Sequence, residues 1–292
     1  MPMNRPVVVG VDGSPSSLVA AEHAAHAALL RSRPLLLVHG YLHPLGYGVP
    51  LNPYDLGVPA PSEEAQKMLE RAAADLSDRW PGLTVEVRQV AGGPGATLVE
   101  ESRRADLVVM GSRGLGGFAG LLLGSVGAQV AAHAHCPVLV VRPAEQPIGV
   151  DAPVLVGVDG SESSRLAAEQ GAHEAALRAV PLVLVHVGPP DTDRPVPEEI
   201  EESQAAYQAE AVRLLADASA AVRAEHAGLV VREHPVRGVG PAQALIEASG
   251  TASLLVVGTR GRAGFAGLLL GSVSQAVIHH AHCPVLVAHP VS

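Results

Sequence analysis

Glycines at a repeated spacing are the clearest chemical signal in this sequence. Gly111 and Gly114 are followed after nine residues by Gly124 and Ser125, and the same pattern returns at Gly258, Gly261, Gly271 and Ser272. Glycine lets the main chain approach a phosphate closely, and the free N–H groups at the start of a helix stabilise an anion. The pattern predicts two phosphate-binding turns; tight turns without a ligand are the alternative.

An acidic residue follows the first apolar run of each copy. Asp12 and Asp159 stand where a carboxylate can accept hydrogen bonds from a ribose hydroxyl, as in other nucleotide-binding folds. Capping of the following helix is the alternative. Ser125 and Ser272 are placed where a hydroxyl can cap a helix and touch a phosphate oxygen. Lys67 is the only lysine, which excludes a Walker A loop.

The chain is an internal duplication. VVVGVDGSPSS at 7–17 matches VLVGVDGSESS at 154–164, and the two glycine-rich stretches and the two HAHCPVLV segments match at the same offset of 147 residues, as from 12 to 159. The segment 144–152 is read as a linker. We predict two copies of one domain, at 1–143 and 153–292.

Short Val/Leu runs alternate with Ala-rich helical stretches in each copy. Runs of this kind are typical of strands buried on both faces of a parallel sheet. The order predicts an α/β fold with two tandem doubly wound domains, each a five-stranded parallel sheet with helices on both faces. The predicted strands are Val7–Val11, Leu35–Val38, Leu83–Val90, Leu107–Met110, Val138–Val141, Val154–Val158, Leu182–Val187, Leu229–His234, Leu254–Val257 and Val285–Val287.

Composition narrows the function classes. A net charge of -9 and a pI near 5.8 argue against nucleic-acid binding. We expect no membrane span, no secretory signal and, with only two cysteines, a reducing cytoplasm. The His-Ala-His-Cys segments at 133–136 and 280–283 give three adjacent positions each, too few for a tetrahedral metal site, so we expect no metal there. The Gly- and Tyr-rich stretch Tyr41–Pro61 is either a lid over a ligand or an irregular surface loop.

These motifs resemble the universal stress protein family, in its ATP-binding, tandem-domain actinobacterial branch, over nearly the whole chain. The resemblance implies a strand order of 3-2-1-4-5 and ATP as the ligand, with Mg²⁺ held by the phosphates and water. It implies that the glycines and serines of both turns hold ribose and phosphates and that Asp12 and Asp159 contact ribose. Further positions implied to line the site are Gly40 and Val187, against the adenine, and Val126 and Val273.

Gly40 departs from the aliphatic residue that the family usually has there, which weakens the adenine prediction for the first copy. The resemblance also implies a nucleotide-dependent regulator in stress or dormancy, with an unidentified protein partner. A slow ATPase or nucleotide-transferring enzyme, and a scaffold with vestigial sites, are the alternatives. The last strands are expected to pair copy with copy, and a homodimer is expected.

Overall fold

The computed structural model describes residues 5–41, 62–114, 124–142, 151–188, 198–238, 240–262 and 270–290, without the side chains of 198–204. The chain divides into two compact units, the first covering the described residues up to Arg142 and the second those from Asp151 to Pro290. Most of the stretch that is either a lid or a surface loop, residues 42–61, and most of the linker, residues 144–150, lie outside the described residues.

Each unit alternates strands and helices as predicted. The elements of the first unit are β1 (Val7–Gly10), α1 (Pro15–Leu30), β2 (Leu35–Tyr41), α2 (Glu63–Arg79), β3 (Val85–Ala91), α3 (Pro94–Glu101), β4 (Leu107–Gly111), α4 (Ser125–His133) and β5 (Val138–Val141). Those of the second unit are β6 (Val154–Gly157), α5 (Glu162–Arg178), β7 (Leu182–Gly188), α6 (Glu198–Glu225), β8 (Val231–Arg237), α7 (Pro241–Ala248), β9 (Leu254–Gly258), α8 (Ser272–His280) and β10 (Val285–Ala288).

The sheet of each unit is parallel and has the predicted order. It reads β3-β2-β1-β4-β5 in the first unit and β8-β7-β6-β9-β10 in the second. β1 pairs with β2 on one side and with β4 on the other, and β6 pairs likewise with β7 and β9. The chain therefore reverses its direction across the sheet beside β1 and β6. In open α/β sheets, ligands bind in the crevice at such a switch point, beyond the carboxyl ends of the strands.

The helices form two layers, since right-handed crossovers place successive helices according to the direction in which the chain moves across the sheet. α1 packs with α2, and α3 packs with α4; the second unit repeats this with α5 and α6, and with α7 and α8. The central strands β1, β4, β6 and β9 are buried, except that the glycine ending β1, β4 or β6 is partly exposed. α1 turns alanines toward them, and these small side chains let the helix lie close to the sheet. The buried alanines are Ala20, Ala21, Ala24, Ala25, Ala27 and Ala28.

Strand β8 extends further than the sequence predicted. The predicted strand ends at His234, before Pro235, but the observed strand continues to Arg237 with Pro235 opposite His186. β8 pairs only with β7 and forms an edge of its sheet, where a residue without an N–H can be accommodated if that position faces away from the neighbour.

Candidate functional site

The glycine-rich turns lie at the switch points. Gly111 is the last residue of β4, and Gly258 is the last residue of β9, each beside the strand that carries the acidic residue. Residues 115–123 and 263–269 of the two turns lie outside the described residues. Each turn leads into a helix, α4 or α8, whose first residue is the motif serine.

Asp12 and Asp159 contact the predicted turns. A Cβ placed on Gly114 would lie 2.6 Å from Oδ2 of Asp12, and one on Gly261 would lie 2.5 Å from Oδ2 of Asp159. The carboxylates therefore touch the main chain of the second motif glycine, where any larger residue would displace them. The structure brings the first turn and the glycine-rich turn together in both units.

The same carboxylates also organise the start of the following helix. Asp12 Oδ1 accepts from the Ser14 amide at 3.0 Å, and Asp159 Oδ1 accepts from the Ser161 amide at 2.9 Å. The residues that cap α1 and α5 are the serines themselves, each accepting from the amide three residues later. The aspartates thus orient the capping residue rather than cap the helix.

The Asp159 carboxylate accepts further hydrogen bonds besides the one from the Ser161 amide. Its Oδ2 accepts from the main-chain N–H of Arg262 at 2.9 Å, and its Oδ1 also accepts from the Ser161 hydroxyl at 2.6 Å. Burial would raise the pKa of Asp159, but the hydrogen bonds from Ser161 and Arg262 outweigh burial and lower that pKa below its ordinary value. The carboxylate is therefore stabilised in its charged form.

The glycines of the turn differ in what the fold demands of them. A Cβ on Gly111 would lie 2.8 Å from the Ser16 carbonyl oxygen, and one on Gly258 would lie 2.7 Å from that of Ser163. These two glycines are required because the turn packs directly on the first turn of α1 or α5. By contrast, a Cβ on Gly124 would have its nearest neighbour 3.9 Å away.

Gly124 and Gly271 occupy the N-cap positions of α4 and α8 in ordinary extended conformation, with φ of -71° in both. Neither helix has a side-chain cap. The predicted capping by Ser125 and Ser272 is wrong, because both serines are already the first helical residue, and a capping side chain must belong to the residue before it. Both serines are exposed, and Val126 and Val273 beside them are partly exposed.

The two positions predicted to contact adenine differ in their surroundings. A Cβ on Gly40 would lie 2.8 Å from the Cα of Pro94, so the start of α3 packs against bare main chain. Val187, at the equivalent place in β7, has a side chain whose Cγ1 lies 3.9 Å from a Cβ built on Gly238. An aliphatic wall is therefore available in the second unit, and the packing of α3 excludes one in the first.

Positive charge gathers at the end of the first unit's sheet. Arg142 follows β5, and the amide of Ser112 donates to the Val141 carbonyl at 2.8 Å, which brings the two chain ends side by side. Burial lowers the pKa of Arg142, and the nearby charge of Arg113 lowers it further. Two guanidinium groups thus contribute positive charge at this end of the sheet.

Several residues that organise the site were missed by sequence reasoning. The Ser16 hydroxyl accepts from the Arg113 amide at 3.4 Å, and the Ser163 hydroxyl donates to the Arg260 carbonyl. Both serines belong to the repeated segment at 7–17 and 154–164, which is the signal that could have identified them. Arg262 carries no such signal, because the first copy has Leu115 at the matching position.

The Arg262 side chain joins the turn of the second unit to α6. Its Nη1 donates to Glu210 Oε1 at 2.7 Å, and this hydrogen bond lowers the pKa of Glu210. The guanidinium passes over Gly160, where a Cβ would lie 2.7 Å from Nη2. His39 and His186 hold the other side of each first turn, with Nδ1 2.8 Å from the Val11 carbonyl oxygen and 2.6 Å from that of Val158.

The histidine and cysteine segments form no metal site in the part of the chain that the structure describes, where no group of three or more His, Cys, Asp or Glu could hold an ion. His133 Nδ1 lies 2.9 Å from the Gln129 carbonyl oxygen, at the end of α4. Cys136 and Cys283 are free and buried, and burial raises the pKa of each thiol to about 12. Within the same described ranges, no helix is long and apolar enough to cross a membrane.

Comparison with known proteins gives a consistent result. The profile of the universal stress protein family matches residues 3–142 and 152–289. A universal stress protein of Mycobacterium tuberculosis is 38% identical over 291 residues, covering 97% of this chain and 95% of that protein. One from Mycolicibacterium smegmatis is 36% identical over 293 residues, covering 97% of each.

The fold recurs in a solved structure. The crystal structure of a universal stress protein from Archaeoglobus fulgidus DSM 4304 aligns with a TM-score of 0.69 at 22% identity and covers 99% of this chain and 97% of that one. Both units are covered by the family profile, by the two relatives and by the solved structure. The chain belongs to the universal stress protein family, with two family domains in tandem.

Proposed function

We propose that this protein binds ATP at both glycine-rich turns and acts as a nucleotide-dependent regulator in a stress or dormancy response. The observation that carries the proposal is the start of α4 and of α8, where a glycine replaces a capping side chain in both units. The first amides of each helix thus have no side-chain cap, and a phosphate is the kind of group that they stabilise.

The fold itself does not explain these glycines. Gly124 has an ordinary φ and room for a Cβ, and a Cβ on Gly271 would make only contacts of 3.4 Å or longer. Serine or aspartate would cap either helix better than glycine does. Glycine therefore fits a position kept open for a ligand. The pair Arg113 and Arg142 adds positive charge for a triphosphate in the first unit.

The roles of the remaining residues follow from their positions. Asp12 and Asp159 have acceptor capacity for ribose hydroxyls, and Val187 offers an aliphatic surface for adenine in the second unit. Mg²⁺ would be held by the phosphates and water. We further propose a cytoplasmic homodimer; two buried free cysteines fit a reducing compartment.

Calorimetric titration with ATP tests the proposal on three proteins. Gly124→Ala with Gly271→Ala places a methyl group where phosphate is expected and should weaken binding about tenfold or more. The same changes should cost at most about 1 kcal/mol of stability per helix, because only a poor cap is replaced. Gly228→Ala, in the open turn after α6 with nothing within 4 Å of its Cβ, is the matched control and should bind as the wild type does.

Absence of ATP binding by the folded wild-type protein at millimolar nucleotide would refute the proposal. Equal ATP binding by the double variant and the wild type would refute the assigned location. The competing function, a slow ATPase, is tested in the same samples by following nucleotide with Mg²⁺ over hours. Steady ADP production that the double variant loses would favour the enzyme.

A further inference from the structure

The corner between the first two helices is closed in the first unit. Trp80 follows α2, and its Nε1 donates to Oε2 of Glu22 on α1 at 3.0 Å. Arg79 forms an ion pair with the same carboxylate, and the Trp80 ring lies 5.8 Å from that of His26, measured between centroids. The indole and the guanidinium thus cover the space between the helices and neutralise Glu22, whose side chain is only 19% exposed.

The corresponding corner of the second unit lacks both partners. Glu169 on α5 matches Glu22. The segment Gly82-Leu83 before β3 matches Gly228-Leu229 before β8, so that Arg79 and Trp80 are replaced by Glu225 and His226. Glu169 is exposed and makes no hydrogen bond or ion pair with any residue that the structure describes.

The same alignment replaces Arg71 of α2 with Asp217 of α6. Arg79, which pairs with Glu22, and Arg71, two helical turns earlier on α2, are thus both replaced by acids in α6. Neither Glu225 nor Asp217 has a hydrogen-bond or ion-pair partner within the described ranges. A corner that is neutral and covered in one unit is acidic and uncovered in the other.

The opening leaves a groove of about 1060 Å³ along α5 and α6 of the second unit. Its lining includes three exposed acidic residues, Glu169, Asp217 and Glu225, which we call the rim. Apolar side chains also line it, among them Leu166, Ala172, Leu214 and Ala218. Arg165 and Arg260 also line it, together with Ser161 and Gly261 from the two turns of the second unit's candidate nucleotide site. We call this surface, with the three rim carboxylates, the acidic groove.

We propose that the acidic groove is a docking site for a basic segment of a partner protein. Charge complementarity selects this occupant. The three carboxylates form no ion pair with any described residue, whereas Glu22 in the first unit is paired with Arg79. Lysine or arginine stems would lie along the alanines and leucines while their charged ends reach the rim. The acidic rim would repel a nucleic acid.

Fluorescence anisotropy on the full-length protein tests this with a labelled helical peptide that bears lysines and leucines on one face. A peptide with glutamates in place of the lysines is the matched probe. The lysine peptide should bind, the glutamate peptide should not, and raising the ionic strength from about 50 to about 300 mM should weaken binding because exposed ion pairs are screened.

Reciprocal exchange of the corner residues locates the site. Glu225→Arg with His226→Trp rebuilds the cover of the first unit and should weaken lysine-peptide binding roughly tenfold. Arg71→Asp with Arg79→Glu and Trp80→His gives the first unit the residues of the second and should add a second binding site. If the first exchange impairs folding, as circular dichroism would show, Glu169→Gln with Asp217→Asn replaces it and should weaken binding similarly.

Three results would overturn the proposal. The first is equal binding of the two peptides, and the second is lysine-peptide binding that neither groove variant changes. The third is a self-associating wild type that becomes monomeric on Glu225→Arg with His226→Trp in sedimentation, since the occupant would then be a second copy of this chain. All of these measurements are made without nucleotide, so their outcome can be told apart from a failure of the proposed ATP binding.

Discussion

Each unit buries an arginine at the end of its first helix, but the acidic residue that pairs with it comes from a different segment in each unit. Arg31, at the end of α1, pairs with Asp106 before β4, with Nε 3.3 Å from Oδ2 and only 5% of the arginine side chain exposed. Arg178, at the end of α5, pairs instead with Glu174, one turn back on its own helix. The position of Asp106 is Ser253 in the second unit, and that of Glu174 is Ala27 in the first.

This difference shows which property the fold constrains. A guanidinium that is almost fully buried must have a carboxylate nearby. The helix or loop that supplies this carboxylate can differ between the units. The site behaves differently: Gly111, Gly114, Gly124 and Ser125 recur without change in the second unit, although packing explains only some of them. These residues are identical in both units even where packing does not require them, as expected if both units bind the same ligand.

The buried thiols should behave alike in both units, which is the largest effect that we expect. With a pKa near 12 for Cys136 and Cys283, a folded thiol at pH 8 should present roughly a thousand-fold less thiolate than the unfolded chain. Titration with a chromogenic disulfide should therefore detect almost no thiol until denaturant is added. Fast labelling of either cysteine in the native protein would show that the units differ in how they protect it.

Moving the acidic partner of Arg31 to the position that it has in the second unit should show whether the two pairings are equivalent. Asp106→Ser gives the first unit the residue of the second and should cost about 3 kcal/mol, because a buried arginine loses its carboxylate. Adding Ala27→Glu recreates the pairing of the second unit and should restore most of that stability. Denaturant unfolding of the single and double variants measures the coupling.

If the effects of Asp106→Ser and Ala27→Glu on the free energy of unfolding simply add, the glutamate introduced at position 27 does not replace Asp106 as the partner of Arg31. Ala27→Glu alone is the control, since it adds a second acid beside an arginine that is already paired.

Gly40 and Val187, the two positions predicted to contact adenine, should differ in how well they tolerate substitution. Gly40→Val places side-chain atoms against the main chain of Pro94 and should destabilise the first unit by about 2 kcal/mol through overpacking. Val187→Gly should fold and, if adenine contacts this wall, weaken ATP binding in the second unit only. Thermal unfolding and calorimetry on both variants test this; a stable Gly40→Val protein would contradict the packing argument.

The smallest effect concerns pH. The pKa of Asp159 is lowered in the folded state, so this carboxylate contributes stability above its ordinary pKa of 3.8 and loses that contribution as the pH falls through the folded value. Asp159→Asn should flatten this part of the acid unfolding curve of the second unit. Unchanged acid sensitivity in the variant would mean that other groups control it.

Much of the fold could be predicted from the sequence because its signals are local. The Val/Leu runs mark the central strands, and the duplication shows that β-α alternation holds in both copies. The continuation of β8 through Pro235 could not be predicted, since it depends on the strand lying at a sheet edge. Local propensity favours ending a strand before proline, and tertiary context overrides it.

The candidate site was predictable in its glycines and aspartates but not in its connections. The hydrogen bond from the Arg262 amide to Asp159 joins residues that are 103 positions apart. The ion pair between Arg262 and Glu210 likewise depends on where α6 lies. The open corner at Glu169 becomes visible only by comparison with Trp80 in the other unit.

The relocated acid partner also limits how the two halves of the gene can exchange sequence. Near-identical stretches within one reading frame invite recombination between them. A hybrid with the first helix of one half and the later strands of the other would combine Ala27 with Ser253 and leave Arg31 with neither acid. The reciprocal hybrid would crowd two acids around one arginine. An exchange that carries both positions together keeps one carboxylate for each buried arginine, so these two positions are expected to be inherited as a pair.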